Sequence, residues 1–497
     1  MNIAQNVERA AKLFPDKVAI VFEGTQLTYK NLNARVNRLA NTLVAEGIAK
    51  GDRVALYLPN IPAFVIGYLA TVRIGAIAVS VNAMLKAEEL KYILNDAGAV
   101  LLFTVGELLE NVNPDHYPQL RRIVVCEGEG AGHPTLDDWL NAGQEAFNGT
   151  DMDPQDPAVL LYTSGTTGFP KGAALTHGNV VSNTWTTVHH AGFRTEDRMI
   201  LFLPLFHVFG QNFIMNATFL ACATLVLHRR FVPDQVLASI RNDKVTMFFA
   251  VPTIYIHLLN MDLDPADLAA IRYEFSAAAT MPQEISTRWT ERFGRPVYEG
   301  YGLTECSPFA CYNHDFNHKF GSVGTPVENF EIKIFDENDQ EVPLGHWGEI
   351  CIRGPGVMQG YWNKPEETAH ALRNGWLHSG DIGTMDDDGY VFIVDRVKDM
   401  INVAGLKIWP AEVEQFLYQH PAVMELAVYG IPHPEKGEIV KAAIVLKDGV
   451  KATVGEINDY CREHLAVYKV TSVFEFVAEL PKSPTGKILK RILRDQG

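Results

Sequence analysis

The stretch Tyr162-Thr163-Ser164-Gly165-Thr166-Thr167-Gly168-Phe169-Pro170-Lys171-Gly172 constrains this chain more than any other. Hydroxyls and glycines dominate it, a lysine stands near its end, and an apolar run over 158–161 leads in as a buried strand would. A polyphosphate-binding loop requires these features: glycines let backbone N–H groups approach anionic oxygens, hydroxyls donate further hydrogen bonds, and a cation offsets charge. It is not a Walker A loop, which ends in Gly-Lys followed by Ser or Thr; here Pro170 precedes the lysine and Gly172 follows it. A bland Gly/Ser/Thr turn is the competing reading, and the ordered run across 162–172 argues against it.

Other segments carry chemistry of the same kind. Gly300-Tyr301-Gly302-Leu303-Thr304-Glu305 offers an aromatic face to stack on a purine, a hydroxyl for a phosphate and a carboxylate for Mg²⁺; alone it would read as a turn beside a surface acid. His378-Ser379-Gly380-Asp381 alone would read as a surface turn, with Asp381 in an incidental ion pair. Leu203-Pro204-Leu205-Phe206-His207-Val208-Phe209-Gly210 follows a strand, and a lone histidine there is ordinarily a packed one. Ser276-Ala277-Ala278-Ala279-Thr280-Met281-Pro282, Ala404-Gly405-Leu406-Lys407-Ile408-Trp409-Pro410 and Pro481-Lys482-Ser483-Pro484-Thr485-Gly486-Lys487 complete the set.

In this order, across essentially the whole chain, the segments resemble the adenylate-forming acyl-CoA synthetases, relatives of luciferases and peptide-synthetase adenylation domains. The resemblance implies an AMP-forming acid–thiol ligase. A carboxylate attacks the α-phosphorus of ATP, pyrophosphate leaves, and coenzyme A displaces AMP from the acyl-AMP. It implies that Thr163, Ser164, Gly165, Thr166, Thr167, Gly168, Lys171, Ala278, Tyr301, Gly302, Thr304, Asp381 and Arg396 bind the nucleotide, and that Thr163 and Glu305 hold Mg²⁺. It places His207 near the acyl carboxylate and Phe209, Phe213, Ala277, Gly300 and Pro308 around the acyl group. Lys487 becomes the catalytic lysine, Lys398 the hinge, and Gly405 and Lys407 the coenzyme A contacts. The chain departs from the family pattern at Ala277, Thr280, Ser379 and Ala404.

Similarity to bacterial medium- to long-chain fatty-acid–CoA ligases, in the segment 205–233 and at Val251-Pro252-Thr253, makes a fatty acid the first-choice substrate, with a role in fatty acid metabolism. An aromatic or alicyclic acid is the alternative, as is transfer of the acyl group to an amine or carrier protein. A nucleotide sensor without catalysis fits poorly with intact Glu305 and Lys487.

At 497 residues the chain should divide into domains. Short apolar strands alternate with helical stretches to about residue 320, such as Thr28 capping an apolar-periodic run to 46, which implies an α/β fold of parallel-type sheets flanked by helices. The texture turns β-rich over about 321–395, and a new α+β pattern follows the charged run 396–399. The expected organisation is a large N-terminal domain over 1–395 containing a small β subdomain, a hinge at 396–399 and a small mobile C-terminal domain over 400–497.

The formal net charge of -16 argues against a general nucleic-acid binder. Six cysteines without metal-ligand spacing read as reduced thiols in a cytoplasmic protein, with Cys306 a bystander. Residues 1–15 lack the continuous apolar core of a signal peptide. The apolar windows 54–81 and 213–227 are broken or too short to cross a bilayer, leaving peripheral membrane contact open. A monomer or homodimer is expected.

Overall fold

The computed structural model describes residues 2–163, 169–396, 399–404, 406–466, 469–484 and 486–496. The helix Tyr29–Ala45 begins where its sequence predicts: Thr28 is extended, its side chain accepts the Asn31 N–H, and Leu32, Val36, Leu39 and Leu43 are buried along one face. The helix Pro62–Arg73 starts on a proline and is buried almost all round, as its unbroken apolar composition dictates.

Two large sheets form the N-terminal part. A seven-stranded sheet runs in the order Gly360–Tyr361, Lys171–Thr176, Pro157–Thr163, Ile77–Val81, Arg53–Tyr57, Leu101–Thr104, Arg122–Val125. Its last five strands are parallel. A nine-stranded sheet runs Thr325–Pro326, Phe309–Tyr312, Tyr298–Gly302, Tyr273–Ser276, Met247–Ala250, Arg198–Leu201, Thr224–Leu227, Val18–Phe22, Thr25–Thr28. Parallel neighbours need crossover helices, which cover the faces and account for the near-continuous apolar character of strands such as Ile77–Val81, buried throughout.

A four-stranded antiparallel sheet, Glu331–Phe335, Gly348–Arg353, Leu377–Met385 and Val391–Arg396, makes up most of the β-rich segment. Two short strands from the same segment, Thr325–Pro326 and Gly360–Tyr361, pair with the large sheets instead. Beyond residue 399 a smaller α+β unit has its own core of Ile401, Ile408, Val413, Leu417, Val428, Ile444 and Ile457. Its first helix, Pro410–Leu417, is tied to the preceding strand, for the Ala411 N–H donates to the Asp395 carboxylate at 2.8 Å.

The α/β class expected from the alternating strands and helices is observed. All six cysteines are free thiols. Among the described residues no helix is long and apolar enough to cross a membrane.

Candidate active site

The 157–163 strand returns antiparallel as the 171–176 strand, with Thr163 and Lys171 as the last pair. The glycine- and hydroxyl-rich segment therefore connects two paired strands. Its central residues Ser164, Gly165, Thr166, Thr167 and Gly168 lie outside the described residues, whereas both flanks are placed. At the entry the Thr163 hydroxyl faces the Lys171 carbonyl at 3.5 Å. At the exit the Lys171 ammonium stands 5.3 Å from the centre of the Tyr361 ring.

Tyr361 comes from the two-residue strand that pairs with this hairpin. Its hydroxyl donates to Glu305 Oε1 at 2.8 Å. Burial and the Glu305 charge push the phenol well above its ordinary value, so it stays a donor. Lys171, Tyr361 and Glu305 thus form a line from the hairpin to the predicted metal ligand. The Glu305 carboxylate is nearly buried, at 9% residue exposure. A hard, anionic oxygen donor linked through Tyr361 to a hairpin that carries Lys171 and the Thr163 hydroxyl fits a Mg²⁺–polyphosphate group.

Gly300, Tyr301 and Gly302 lie on the Tyr298–Gly302 strand, and Thr304 and Glu305 on the short 3₁₀ turn after it. A Cβ at Gly302 would sit 1.5 Å from the Pro308 carbonyl oxygen, so only glycine fits there. The Asn183 side chain secures the turn, donating to the Cys306 and Phe309 carbonyls at 3.2 and 2.8 Å and accepting the Phe309 N–H at 3.2 Å. The buried Cys306 thiol is pushed up by desolvation and lies 2.7 Å from the Pro308 carbonyl, which matches the bystander expectation.

Tyr301 donates its hydroxyl to Asp381 Oδ2 at 2.7 Å, and Arg396 Nε meets Asp381 Oδ1 at 3.0 Å. The Asp381 charge raises the Arg396 pKa and keeps the guanidinium protonated. Ala278 is exposed and holds φ of 72°, a conformation costly for a residue with a Cβ and frequent where a backbone is shaped for a ligand.

On the acyl side, His207 precedes a π-helical segment, Phe209–Asn216, a form that recurs at functional sites. The Phe209 N–H donates to His207 Nδ1 at 3.3 Å, which assigns the ring proton to Nε2. Desolvation and the nearby Lys487 ammonium depress the His207 pKa to about 4, so the ring is a neutral donor at pH 7. Phe213 meets Phe209 edge-on at 5.2 Å, stacks on Phe275 at 4.9 Å and meets Phe309 at 5.1 Å. Gly300 borders this cluster, since a Cβ there would lie 2.6 Å from Phe275 and 2.9 Å from Phe309. Pro308 is buried beside Phe309, and Ala277 is half-buried against the same core.

Lys487 belongs to a tight turn in which Ser483 N–H donates to the Lys487 carbonyl at 2.7 Å and Lys487 N–H to the Ser483 hydroxyl at 3.1 Å. The turn docks on the large domain, where the Thr253 hydroxyl donates to the Gly486 carbonyl at 3.2 Å. Lys407 is not brought to this site: it is 62% exposed and pairs with Glu337 at 3.7 Å. Lys398 and Gly405 lie outside the described residues. Sequence alone does not identify Tyr361 or the docking role of Thr253; the Gly360-Tyr361 dipeptide has no local signal, because its partner lies far away in sequence.

A family model described as AMP-binding enzyme matches residues 7–362, and one described as AMP-binding enzyme C-terminal domain matches residues 412–487. The chain is 38% identical to a long-chain-fatty-acid–CoA ligase of Bacillus subtilis (strain 168), over 98% of this chain and 93% of that protein. It is similar to the solved structure of the anthranilate CoA ligase AuaEII in complex with anthranoyl-AMP, with a TM-score of 0.95 and 31% identity over 100% of this chain and 97% of that one. MatB from Rhodopseudomonas palustris, 32% identical over 100% of this chain and 99% of that one, scores 0.93 in its ATP-bound structure and 0.82 in its apo structure.

Proposed function

The chain belongs to the AMP-binding enzyme family and is an acyl-CoA ligase acting through an acyl-AMP, and we propose that the groups assembled at its hairpin, its 300–305 turn and its docked lysine divide the work as follows. Lys171 and the hairpin tip take the β- and γ-phosphates. Tyr301 presents its ring to the adenine, and Asp381, backed by Arg396, accepts from the ribose hydroxyls. Glu305 and Thr163 hold Mg²⁺, which when bound would draw charge from the phosphates. Two anions must meet in the first step, so positive potential at the carboxylate is the limiting requirement. Lys487 supplies it, and neutral His207 donates Nε2–H to a carboxylate oxygen without competing for a proton.

The observation that carries this reading is the docking of the Lys487 turn on Thr253 of the large domain, which sets the Lys487 charge near enough to His207 to help depress its pKa. Coenzyme A thiolate then attacks the acyl carbon and AMP leaves. Lys407 is exposed and paired with Glu337 in this arrangement, so thioester formation calls for a second orientation of the C-terminal unit, turning about 396–399. The higher similarity to ATP-bound than to apo MatB supports the arrangement being the adenylating one.

The acid is a medium- to long-chain fatty acid on the strength of the Bacillus subtilis relative. An aromatic acid is the second reading, favoured by the Phe209, Phe213, Phe275 and Phe309 cluster and by the anthranilate ligase. The enzyme works in the cytoplasm. A panel of aliphatic and aromatic acids, read by pyrophosphate release and by mass spectrometry of the acyl product, tests both readings. Fatty acids should lead the ranking and acyl-CoA should be the product; acyl-amine or acyl-carrier products would overturn the choice of acceptor.

A further inference from the structure

Asp381 is presented by an irregularity in the four-stranded sheet. Along the Gly348–Arg353 strand, Glu349 pairs with Ile382 and Cys351 with His378, so Ile350 alone stands opposite Ser379, Gly380 and Asp381. A bulge of this kind withdraws backbone groups from the ladder and leaves them to be satisfied by side chains. Two side chains do so. Glu349 Oε1 accepts the Gly380 N–H at 2.9 Å, and the Ser379 hydroxyl accepts the Asp381 N–H at 3.1 Å while donating to the Ile350 carbonyl at 2.6 Å.

The second Glu349 oxygen is anchored in turn. His378 Nδ1 lies 2.8 Å from Oε2 and Arg373 Nη2 lies 3.2 Å from it, with Arg373 also paired to Asp339 at 3.0 Å. Glu349, Cys351 and His378 are close enough together to suggest a metal site. The packing points elsewhere, because His378 Nδ1 itself occupies the space between the other two, 3.3 Å from the Cys351 sulfur, and Arg373 already balances the Glu349 charge.

We infer that Glu349 is a positioning residue for nucleotide binding: by bonding the Gly380 amide it fixes the bulge that aims Asp381 at the ribose hydroxyls. The inference rests on the ribose assignment of Asp381. Hydrogen bonds that involve a charged group are the stronger class, and loss of this one frees a backbone turn whose Gly380, at φ of 74°, has few other constraints.

The test measures calorimetric affinities of the full-length protein for ATP, 2′-deoxy-ATP and 3′-deoxy-ATP with Mg²⁺ and no acid present. Glu349→Ala should weaken ATP about tenfold and the deoxy analogues much less, collapsing the discrimination as Asp381→Asn does. Glu349→Gln, which can still accept from Gly380, should restore it. A Glu349→Ala protein with wild-type discrimination, or with equal weakening of all three nucleotides, overturns the proposal while Asp381→Asn still collapses the ratio. An Asp381→Asn protein with unchanged discrimination overturns the ribose assignment itself, and this inference with it. Should Glu349→Ala fail to fold, Ser379→Ala removes the acceptor of the Asp381 N–H and must shift the ratio in the same direction; an unchanged ratio there also overturns the proposal.

Discussion

Single side chains in this site are tuned by where the fold puts them, and Glu299 is the clearest case. It lies one residue before Gly300, fully enclosed, and burial raises its pKa to about 8. Below an ordinary glutamate value of 4.5 both folded and unfolded chains are protonated there. As pH climbs from that value to about 8, the unfolded chain ionises while the folded one does not, so stability is withdrawn across that window. Glu299→Gln imitates the protonated form. Its melting temperature should exceed that of the wild type clearly at pH 8 and little at pH 5, since a tenfold change in a protonation equilibrium corresponds to about 1.4 kcal/mol; an equal difference at both pH values would contradict the raised pKa. Tyr301 and Glu305, which the sequence singles out, sit within one short segment whose chemistry is visible locally. Tyr361 and Glu349 were not legible, because their roles exist only through partners more than 25 residues away in sequence.

At the level of elements, the hairpin proposed to take the phosphates is flanked by a strand of two residues. Gly360–Tyr361 adds to the edge of the seven-stranded sheet and carries the phenol between Lys171 and Glu305. Tyr361→Phe keeps the ring under the ammonium and removes the donor to Glu305. The Mg²⁺ concentration needed for half-maximal pyrophosphate release should rise about tenfold, in line with a charge-assisted hydrogen bond, with the melting temperature little changed; an unaltered Mg²⁺ requirement would separate Tyr361 from the metal ligand. The sequence predicted the entering strand from its apolar run, but the returning 171–176 strand is obscured by Pro170, Lys171 and Gly172, which read as loop. The 377–385 strand escaped for a related reason: the Ser379-Gly380-Asp381 bulge breaks the alternation that marks a strand.

For the molecule as a whole, two lysine-bearing turns of one small unit are proposed to serve a single acyl carbon, and of the two it is the Lys487 charge that acts on His207, while Lys407 pairs with Glu337. Lys487→Ala should lower adenylation by ~10²–10³, the range for removing one preorganised electrostatic group, yet leave conversion of synthetic acyl-AMP and coenzyme A to thioester largely intact. Lys398→Pro, by restricting φ at the proposed hinge, should give the reverse pattern. Assaying the half-reactions separately decides the matter, since equal slowing of both steps by each substitution would rule out a swivel.

The Asp395 contact gives that rotation a mechanical character. Its carboxylate sits just before the turning segment and holds the Ala411 amide at the start of a helix just after it. In the proposed rotation about 396–399 the two would part, and an N-terminal cap contributes ~1 kcal/mol, about a fivefold bias in population. Under that proposal the bond would act as a detent, setting how long the enzyme dwells in its adenylating posture. Asp395→Ala should shorten that dwell, so that in a single turnover acyl-AMP is consumed sooner after it forms; an unchanged interval would mean that the cap travels with the moving unit.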